Sequence, residues 1–251
     1  MKIVVIGGSG LIGSKLVDLL RARGHQAVPA SPKTGVNTLT GEGVAGALTG
    51  AEVVVDVSNS PSFEDAAVRE FFETSTRTLL AAATDAGVGH YVALSIVGCD
   101  RIPDSGYMRA KVVQEELIAE AEIPYSVVHA TQFFEFLQGI IDAGTEGDTV
   151  HLAPVLIQPM AADDVAAAVA EVALGAPTNG VVEVAGPEQY RLDELARSVL
   201  ADEQDARSVV VDPDARYFGA RLGERSLVPA DGARIAATSL ADWRTRAKRA
   251  G

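Results

Sequence analysis

The sequence predicts an α/β fold in which a doubly wound parallel sheet carries helices on both faces. Three observations predict this fold. An apolar run at residues 3–6 leads into a glycine-rich turn and then into an amphipathic stretch. Short apolar runs then alternate with helical periodicity through the first two thirds of the chain, as in folds with a parallel sheet. The 251 residues are 47% hydrophobic, which is enough for a sizeable core.

The first element is a β-branched run, Ile-Val-Val-Ile at residues 3–6, which suits a strand buried on both faces. The glycines behind it let the backbone turn tightly and approach a pyrophosphate, whose charge is favoured by the free N–H groups of the following helix. We therefore predict a Rossmann-type dinucleotide-binding turn, and the alternative is a glycine turn without a ligand. The predicted contacts are Gly7, Gly8, Ser9, Gly10, Leu11, Ile12 and Gly13.

The second strand is predicted at residues 26–30, and the residues behind it bear on the cofactor. A site for NAD often places an acidic residue here to bind the ribose 2′-hydroxyl. No Asp or Glu lies between Asp18 and Glu42, and the strand is followed by Ser31 and Lys33. A hydroxyl and a cation suit a 2′-phosphate, so NADP is favoured over NAD. The alternative is that Lys33 is an ordinary solvated lysine.

Strands and helices continue to alternate along the rest of the chain. Ser62 and Asp65 resemble a capping box for a long helix. Without repeats or linkers, we expect a single domain at 1–251, with a dinucleotide-binding core at about 1–150 and a small, mainly substrate-binding part at about 176–251. The predicted strands are 35–39, 52–57, 90–95, 125–129, 155–158, 180–185 and 208–211, and the predicted helices are 41–48, 63–86, 106–121, 133–141, 163–174 and 191–200.

Three side chains indicate a site that exchanges a proton with a substrate oxygen. Ser95 ends a predicted strand, Tyr107 opens the next helix, and Lys111 lies four residues later on the same helix face. A neighbouring ammonium lowers the pKa of a phenol from about 10, so we expect Tyr107 to exchange a proton with a substrate oxygen. Ser95 would hydrogen-bond the same oxygen, and Lys111 would also reach the ribose next to a nicotinamide. The alternative is that the Tyr-Lys pair lies on the surface or serves packing.

Other candidates are less specific. Asn59 follows a predicted strand and either lies near the cofactor or shapes the turn. His129 ends a predicted strand and either contacts substrate or is structural. Phe133 and Phe134 either line a substrate pocket or pack in the core. Because no His, Cys, Asp and Glu cluster has ligand spacing, we predict no metal.

On these residues the chain resembles the short-chain dehydrogenase/reductase superfamily, of the atypical or extended type. The similarity rests on Gly7-x-x-Gly10-x-x-Gly13, on Ser95 in Ala-Leu-Ser-Ile-Val-Gly and on Tyr107-x-x-x-Lys111. Phe133-Phe134 and Asp163-Asp164-Val165 resemble the NmrA-like NAD(P)H-binding proteins. Many relatives use an additional active-site Asn on the preceding helix, but no Asn lies between Ala66 and Ala86.

The resemblance implies an NADP(H)-dependent oxidoreductase that passes hydride between a nicotinamide and a small carbonyl or alcohol, with Tyr107 as the acid or base. Many NmrA-like relatives have lost this tyrosine and act as redox sensors, so the retained Ser, Tyr and Lys favour catalysis. The alternatives are an NADP(H)-binding redox sensor, a quinone or flavin reductase, and a sugar-nucleotide epimerase. By analogy with relatives, the helices at 63–86 and 106–121 could pair two copies in a homodimer.

Composition excludes several classes of partner. The net charge of −13 and the pI of about 4.7 disfavour nucleic acid and anionic membrane surfaces, so we expect a small-molecule substrate. No apolar run approaches the roughly 20 residues of a membrane span, and the first residues do not have the shape of a signal peptide. Because Cys99 is the single cysteine, we expect no internal disulfide and a cytoplasmic location.

Overall fold

The first apolar run forms strand β1 (Lys2–Ile6), and its side chains from Ile3 to Ile6 are buried. The computed structural model describes residues 1–250, which fall into two units. The first unit is formed by residues 1–95, 106–129 and 165–182. The second unit is formed by residues 96–105, 130–164 and those from 183 onward. Each unit is therefore assembled from separate stretches of chain.

In the first unit, β1 lies between two parallel neighbours, β2 (Gln26–Ala30) and β3 (Val53–Asp56). β2 carries Pro29, which has no backbone N–H to donate, and it is accordingly the edge strand of the sheet. The remaining elements that begin in this unit are helices α1 (Leu11–Ala22), α2 (Val44–Leu48), α3 (Asp65–Asp85) and α4 (Gly106–Glu120) and strands β4 (His90–Ile96) and β5 (Tyr125–Ala130).

In the second unit, β6 (Thr145–Glu146), β7 (Thr149–Leu152) and β11 (Ser208–Val211) form a sheet in the order β11-β7-β6. Short strands β8 (Leu156–Ile157) and β10 (Tyr190–Arg191) pair antiparallel. The other elements after β5 are helices α5 (Leu137–Ala143), α6 (Ala162–Leu174), α7 (Leu192–Asp202) and α8 (Leu240–Ala250) and strands β9 (Val181–Ala185) and β12 (Arg234–Ile235).

The main sheet has seven strands in the order β12-β9-β5-β4-β3-β1-β2, which confirms the predicted α/β class with flanking helices. A cluster of apolar side chains fills the core of the first unit, where Val4 and Val54 of the sheet join Leu79 of α3 and Ile118 of α4. These four side chains are fully buried, and burying each contributes roughly 1.5–3 kcal/mol. No helix within residues 1–250 is both long and apolar enough to cross a bilayer.

Two local predictions are wrong. Residues 35–39 form turns instead of a strand, because the side-chain oxygen of Asn37 accepts the N–H of Leu39 at 2.9 Å and its backbone oxygen accepts that of Gly41 at 2.9 Å. The capping box is also absent, since α3 begins after Glu64, which makes no side-chain cap. The Ser62 hydroxyl instead accepts the N–H of Glu64 at 3.2 Å. Elements β6, β7, β10, β12 and α8 were not predicted.

Candidate functional site

The glycine loop, residues 7–13, is packed too closely for side chains. Gly7 has a φ of +78°, and a Cβ there would lie 2.8 Å from the backbone nitrogen of Ser58. A Cβ on Gly8 would lie 2.7 Å from the Cα of Pro29, and one on Gly13 would overlap the carbonyl oxygen of Gly7. The loop is therefore held against β2 and against the residues that follow β3.

The start of α1 can receive an anion. Its N-cap is Gly10, so no side chain caps the first turn, and that turn carries no acidic residue. Ser9, Gly10 and Leu11 are exposed, whereas Ile12 is buried on the sheet side. Backbone N–H groups at the positive end of a 12-residue helix suit a phosphate.

Ser31 and Lys33 follow β2. The backbone N–H of Ser31 donates to the Thr34 hydroxyl at 2.9 Å, which shapes a short 3₁₀ turn over Pro32–Thr34. The Ser31 hydroxyl oxygen is buried without a hydrogen-bond partner among residues 1–250. Buried hydroxyls normally have partners, so this oxygen is suited to a ligand group. Lys33 follows two residues later in the sequence and is exposed.

Tyr107 lies in the first turn of α4, and its hydroxyl donates to Oδ1 of Asn59 at 2.7 Å. Its ring lies 5.8 Å from that of Phe72 and 5.6 Å from that of Phe63, which is 69% exposed. Burial raises the pKa of Tyr107 to about 12. The expected lowering of this pKa by Lys111 is therefore wrong, because burial dominates.

Lys111 is turned into the protein, and only 3% of its surface is exposed. Its ammonium donates to the backbone oxygen of Leu94 at 2.9 Å and to the side-chain oxygen of Gln114, and it lies 4.5 Å from the ring centre of Phe72. Gln114 in turn donates to the buried carboxylate of Asp56 at 3.1 Å. Lys111 thus ties α4 to the strand end that carries the predicted serine.

Ser95 is buried near the end of β4 and its hydroxyl donates to Oε1 of Glu115. The same oxygen lies 2.9 Å from Nε2 of His129. Sequence reasoning missed Glu115, although it follows Lys111 by four residues on the helix face that already holds Tyr107. That spacing was the available signal.

The aromatic candidates lie in the second unit. Phe134 is 2% exposed and its ring lies 5.5 Å from that of Trp243, so it packs in a core. Phe133 stacks on the exposed Phe136 with ring centres 5.5 Å apart.

Strands β1 to β5 of the main sheet each lead to candidate residues at or just beyond their carboxyl ends. The glycine loop follows β1 and Ser31 follows β2, while Asn59 lies three residues beyond β3. Ser95 and His129 lie at the ends of β4 and β5. Ligands of open α/β sheets bind at this carboxyl edge.

Comparisons with known proteins give distant relatives. No protein-family model matches the chain. It is 27% identical over 153 residues to the photosystem II assembly factor Ycf39 of Cyanophora paradoxa, and 24% identical over 155 residues to that of Synechocystis sp.. These matches cover 55% and 56% of this chain. The chain spans about half the length of these relatives, at 48% and 47%.

Solved structures share the fold over nearly the whole chain. UDP-glucose 4-epimerase of Thermus thermophilus, in complex with NAD, matches with a TM-score of 0.70 and 18% identity, covering 90% of this chain and 92% of that chain. A dTDP-glucose 4,6-dehydratase of Streptomyces venezuelae with NAD and TYD bound gives 0.73 and 18%, covering 99% and 96%. A dTDP-4-dehydrorhamnose reductase of Bacillus anthracis in complex with NADP gives 0.67 and 13%, covering 97% and 92%. The predicted Rossmann-type fold is confirmed.

Proposed function

We propose that the chain is an atypical member of the short-chain dehydrogenase/reductase superfamily and an NADP(H)-dependent oxidoreductase acting on a small carbonyl or alcohol. The observation that carries the proposal is the bond from Lys111 to the Leu94 carbonyl. It fixes α4 against the strand end that bears Ser95, with Tyr107 one turn earlier on the same helix. Serine, tyrosine and lysine are thus built into adjoining elements of one unit.

The cofactor part of the proposal rests on the glycine loop and on the end of β2. The closely packed loop and the uncapped start of α1 would hold a pyrophosphate. The partnerless Ser31 hydroxyl and the nearby Lys33 would bind a 2′-phosphate, which favours NADP over NAD. When bound, the nicotinamide supplies or accepts the hydride.

The proton chemistry belongs to Tyr107. With its pKa raised to about 12, the phenol keeps its proton at neutral pH and can donate it to a carbonyl oxygen. To do so it must exchange its bond with Asn59 for one with the substrate. The phenolate that would act as a base is scarce at neutral pH, so alcohol oxidation should be favoured at high pH.

The substrate we propose is small and carries little charge. The solved neighbours include a dTDP-glucose 4,6-dehydratase with NAD and TYD bound. This chain has 21 Lys and Arg against 34 Asp and Glu, which makes a phosphate-rich nucleotide sugar a weaker proposal.

A cytoplasmic homodimer is also part of the proposal, and chemical crosslinking in cells followed by fractionation tests both points.

The second candidate is an NADP(H)-binding protein that acts through a protein partner. Two observations favour it: both curated relatives are assembly factors, and the Tyr107 phenol is both partnered by Asn59 and held protonated by burial. Such a protein would bind NADPH tightly without turning over a substrate.

The test is NADPH oxidation against a panel of ketones, aldehydes and quinones, with NADH in parallel. Tyr107→Phe is compared with Tyr125→Phe, which removes a hydroxyl at the first residue of β5, away from the carboxyl edge of the sheet. Turnover lost only in Tyr107→Phe, with NADPH binding intact, supports the oxidoreductase. Turnover retained in Tyr107→Phe points instead to direct quinone or flavin reduction. Tight NADPH binding without turnover on any compound makes the second candidate the leading one.

A further inference from the structure

Ser95, Glu115 and His129 form a hydrogen-bonded group in the first unit. Ser95 comes from β4, Glu115 from α4 and His129 from β5, so the group is built from three regular elements. Ser95 is 2% exposed and His129 is also buried. Both contact the same atom, Oε1 of Glu115.

The contacts give the direction of the Ser95 hydrogen. The Ser95 hydroxyl donates to Oε1 of Glu115, and Nε2 of His129 lies 2.9 Å from the same oxygen. An ionised carboxylate only accepts hydrogen bonds, so Glu115 in that form takes the Ser95 hydrogen and gives none back.

This arrangement limits what Ser95 can offer a ligand. A serine hydroxyl has one hydrogen and two lone pairs, and the hydrogen is directed at Glu115. An alcohol can still donate to a Ser95 lone pair, whereas a carbonyl has no hydrogen to donate. We propose that Glu115 positions Ser95 as a hydrogen-bond acceptor, so that the site holds the alcohol form of its substrate at Ser95. The inference rests on the proposed function and leaves proton donation to a carbonyl with Tyr107.

His129 supports the same arrangement. Its Nε2 lies 2.9 Å from Oε1 and so holds the Glu115 side chain in place. We therefore assign His129 to the support of Glu115, and through it to the direction of the Ser95 hydroxyl.

The first test uses the protein without cofactor or substrate. Infrared difference spectra of protein containing ¹³C-labelled glutamate, taken between wild type and Glu115→Gln, isolate the Glu115 band. We expect the band of an ionised carboxylate, and we expect Ser95→Ala to shift it because one donor is lost. Glu116→Gln is the matched control for Glu115→Gln, since Glu116 is the next residue on α4 and is exposed. A protonated carboxyl band, or a Glu115 band that Ser95→Ala does not move, overturns the proposal.

The second test compares two ligands of nearly equal size in complexes that do not turn over. Cyclohexanol is titrated into the protein with NADPH, and cyclohexanone into the protein with NADP⁺. We expect Ser95→Ala to raise the dissociation constant of cyclohexanol about three- to tenfold, the value of one hydrogen bond, and to leave that of cyclohexanone nearly unchanged. Glu115→Met should tighten cyclohexanone by freeing the Ser95 hydrogen. Glu115→Gln keeps an accepting oxygen and should behave like wild type.

Each outcome decides a separate point. Equal weakening of both ligands by Ser95→Ala, or weakening of cyclohexanone alone, overturns the proposal. If wild type binds neither ligand, the infrared bands decide it alone. Failure to bind NADPH contradicts the proposed function and leaves the infrared result standing.

Discussion

The hydroxyl of Tyr107 donates a 2.7 Å hydrogen bond to the side-chain oxygen of Asn59. That oxygen also accepts the backbone N–H of Ser60 at 3.0 Å, and this second bond fixes which end of the amide faces the phenol. Tyr107 is therefore the donor. Asn59 thus holds the phenol in a protonated, hydrogen-bonded state. The preceding residue, Ser58, donates its hydroxyl hydrogen to the buried carboxylate of Asp56.

Tyr107 should stay protonated well above its ordinary pKa. Because burial raises the folded-state pKa to about 12 while an unfolded tyrosine titrates near 10, its stabilising effect is full below pH 10 and is lost as pH rises toward 12. Ultraviolet titration of wild type against Tyr107→Phe should show no phenolate from this residue at pH 10. A midpoint below 10 would contradict this and restore the influence of Lys111.

Lys111 should matter for stability as well as for activity. Replacing it with Met leaves the Leu94 carbonyl and the Gln114 amide oxygen without their buried donor, so we expect a loss of about 2 kcal/mol in the free energy of unfolding. Urea denaturation measures it, with Lys248→Met as the exposed control. An unchanged stability together with weakened NADPH binding would show instead that the lysine serves the cofactor alone.

Gly13 and Gly46 both lie in helices, but a side chain has no room at Gly13 and open space at Gly46. A Cβ on Gly13 would overlap the Gly7 carbonyl oxygen, so Gly13→Ala should destabilise by about 1–3 kcal/mol and weaken NADPH binding. Nothing lies within 4 Å of a Cβ on Gly46, so Gly46→Ala should stabilise by about 0.5–1 kcal/mol. Paired denaturation curves check both signs, and a stabilising Gly13→Ala would refute the close packing.

Glu135 should be a structural carboxylate of the second unit. It accepts the N–H of Ala162 at the start of α6 at 3.1 Å and the indole N–H of Trp243 at 3.1 Å. Glu135→Ala should lower the free energy of unfolding by about 1–3 kcal/mol. It should also change the fluorescence of Trp243, the single tryptophan. Glu171→Ala, an exposed change on α6, is the control. Unaltered emission and stability would exclude this role.

Short-range patterns predicted the first unit well, and long-range contacts explain what was missed. The strand, glycine turn and helix at residues 2–22 were predictable because neighbours in sequence determine them. Residues 35–39 alternate in burial like a strand, but the Asn37 side chain forms a turn that hydropathy does not reveal. Glu115 is a candidate because it contacts Ser95 and His129, which are 20 and 14 residues away in the sequence.

Because each unit draws on three separated stretches of chain, neither corresponds to one continuous piece of gene. A coding sequence cut after residue 164 would keep the whole glycine loop yet lose residues 165–182, which belong to the same unit. Simple end-to-end fusion could neither have added the second unit nor removed it. A chimaera that exchanges the second unit between relatives would therefore need several junctions at once.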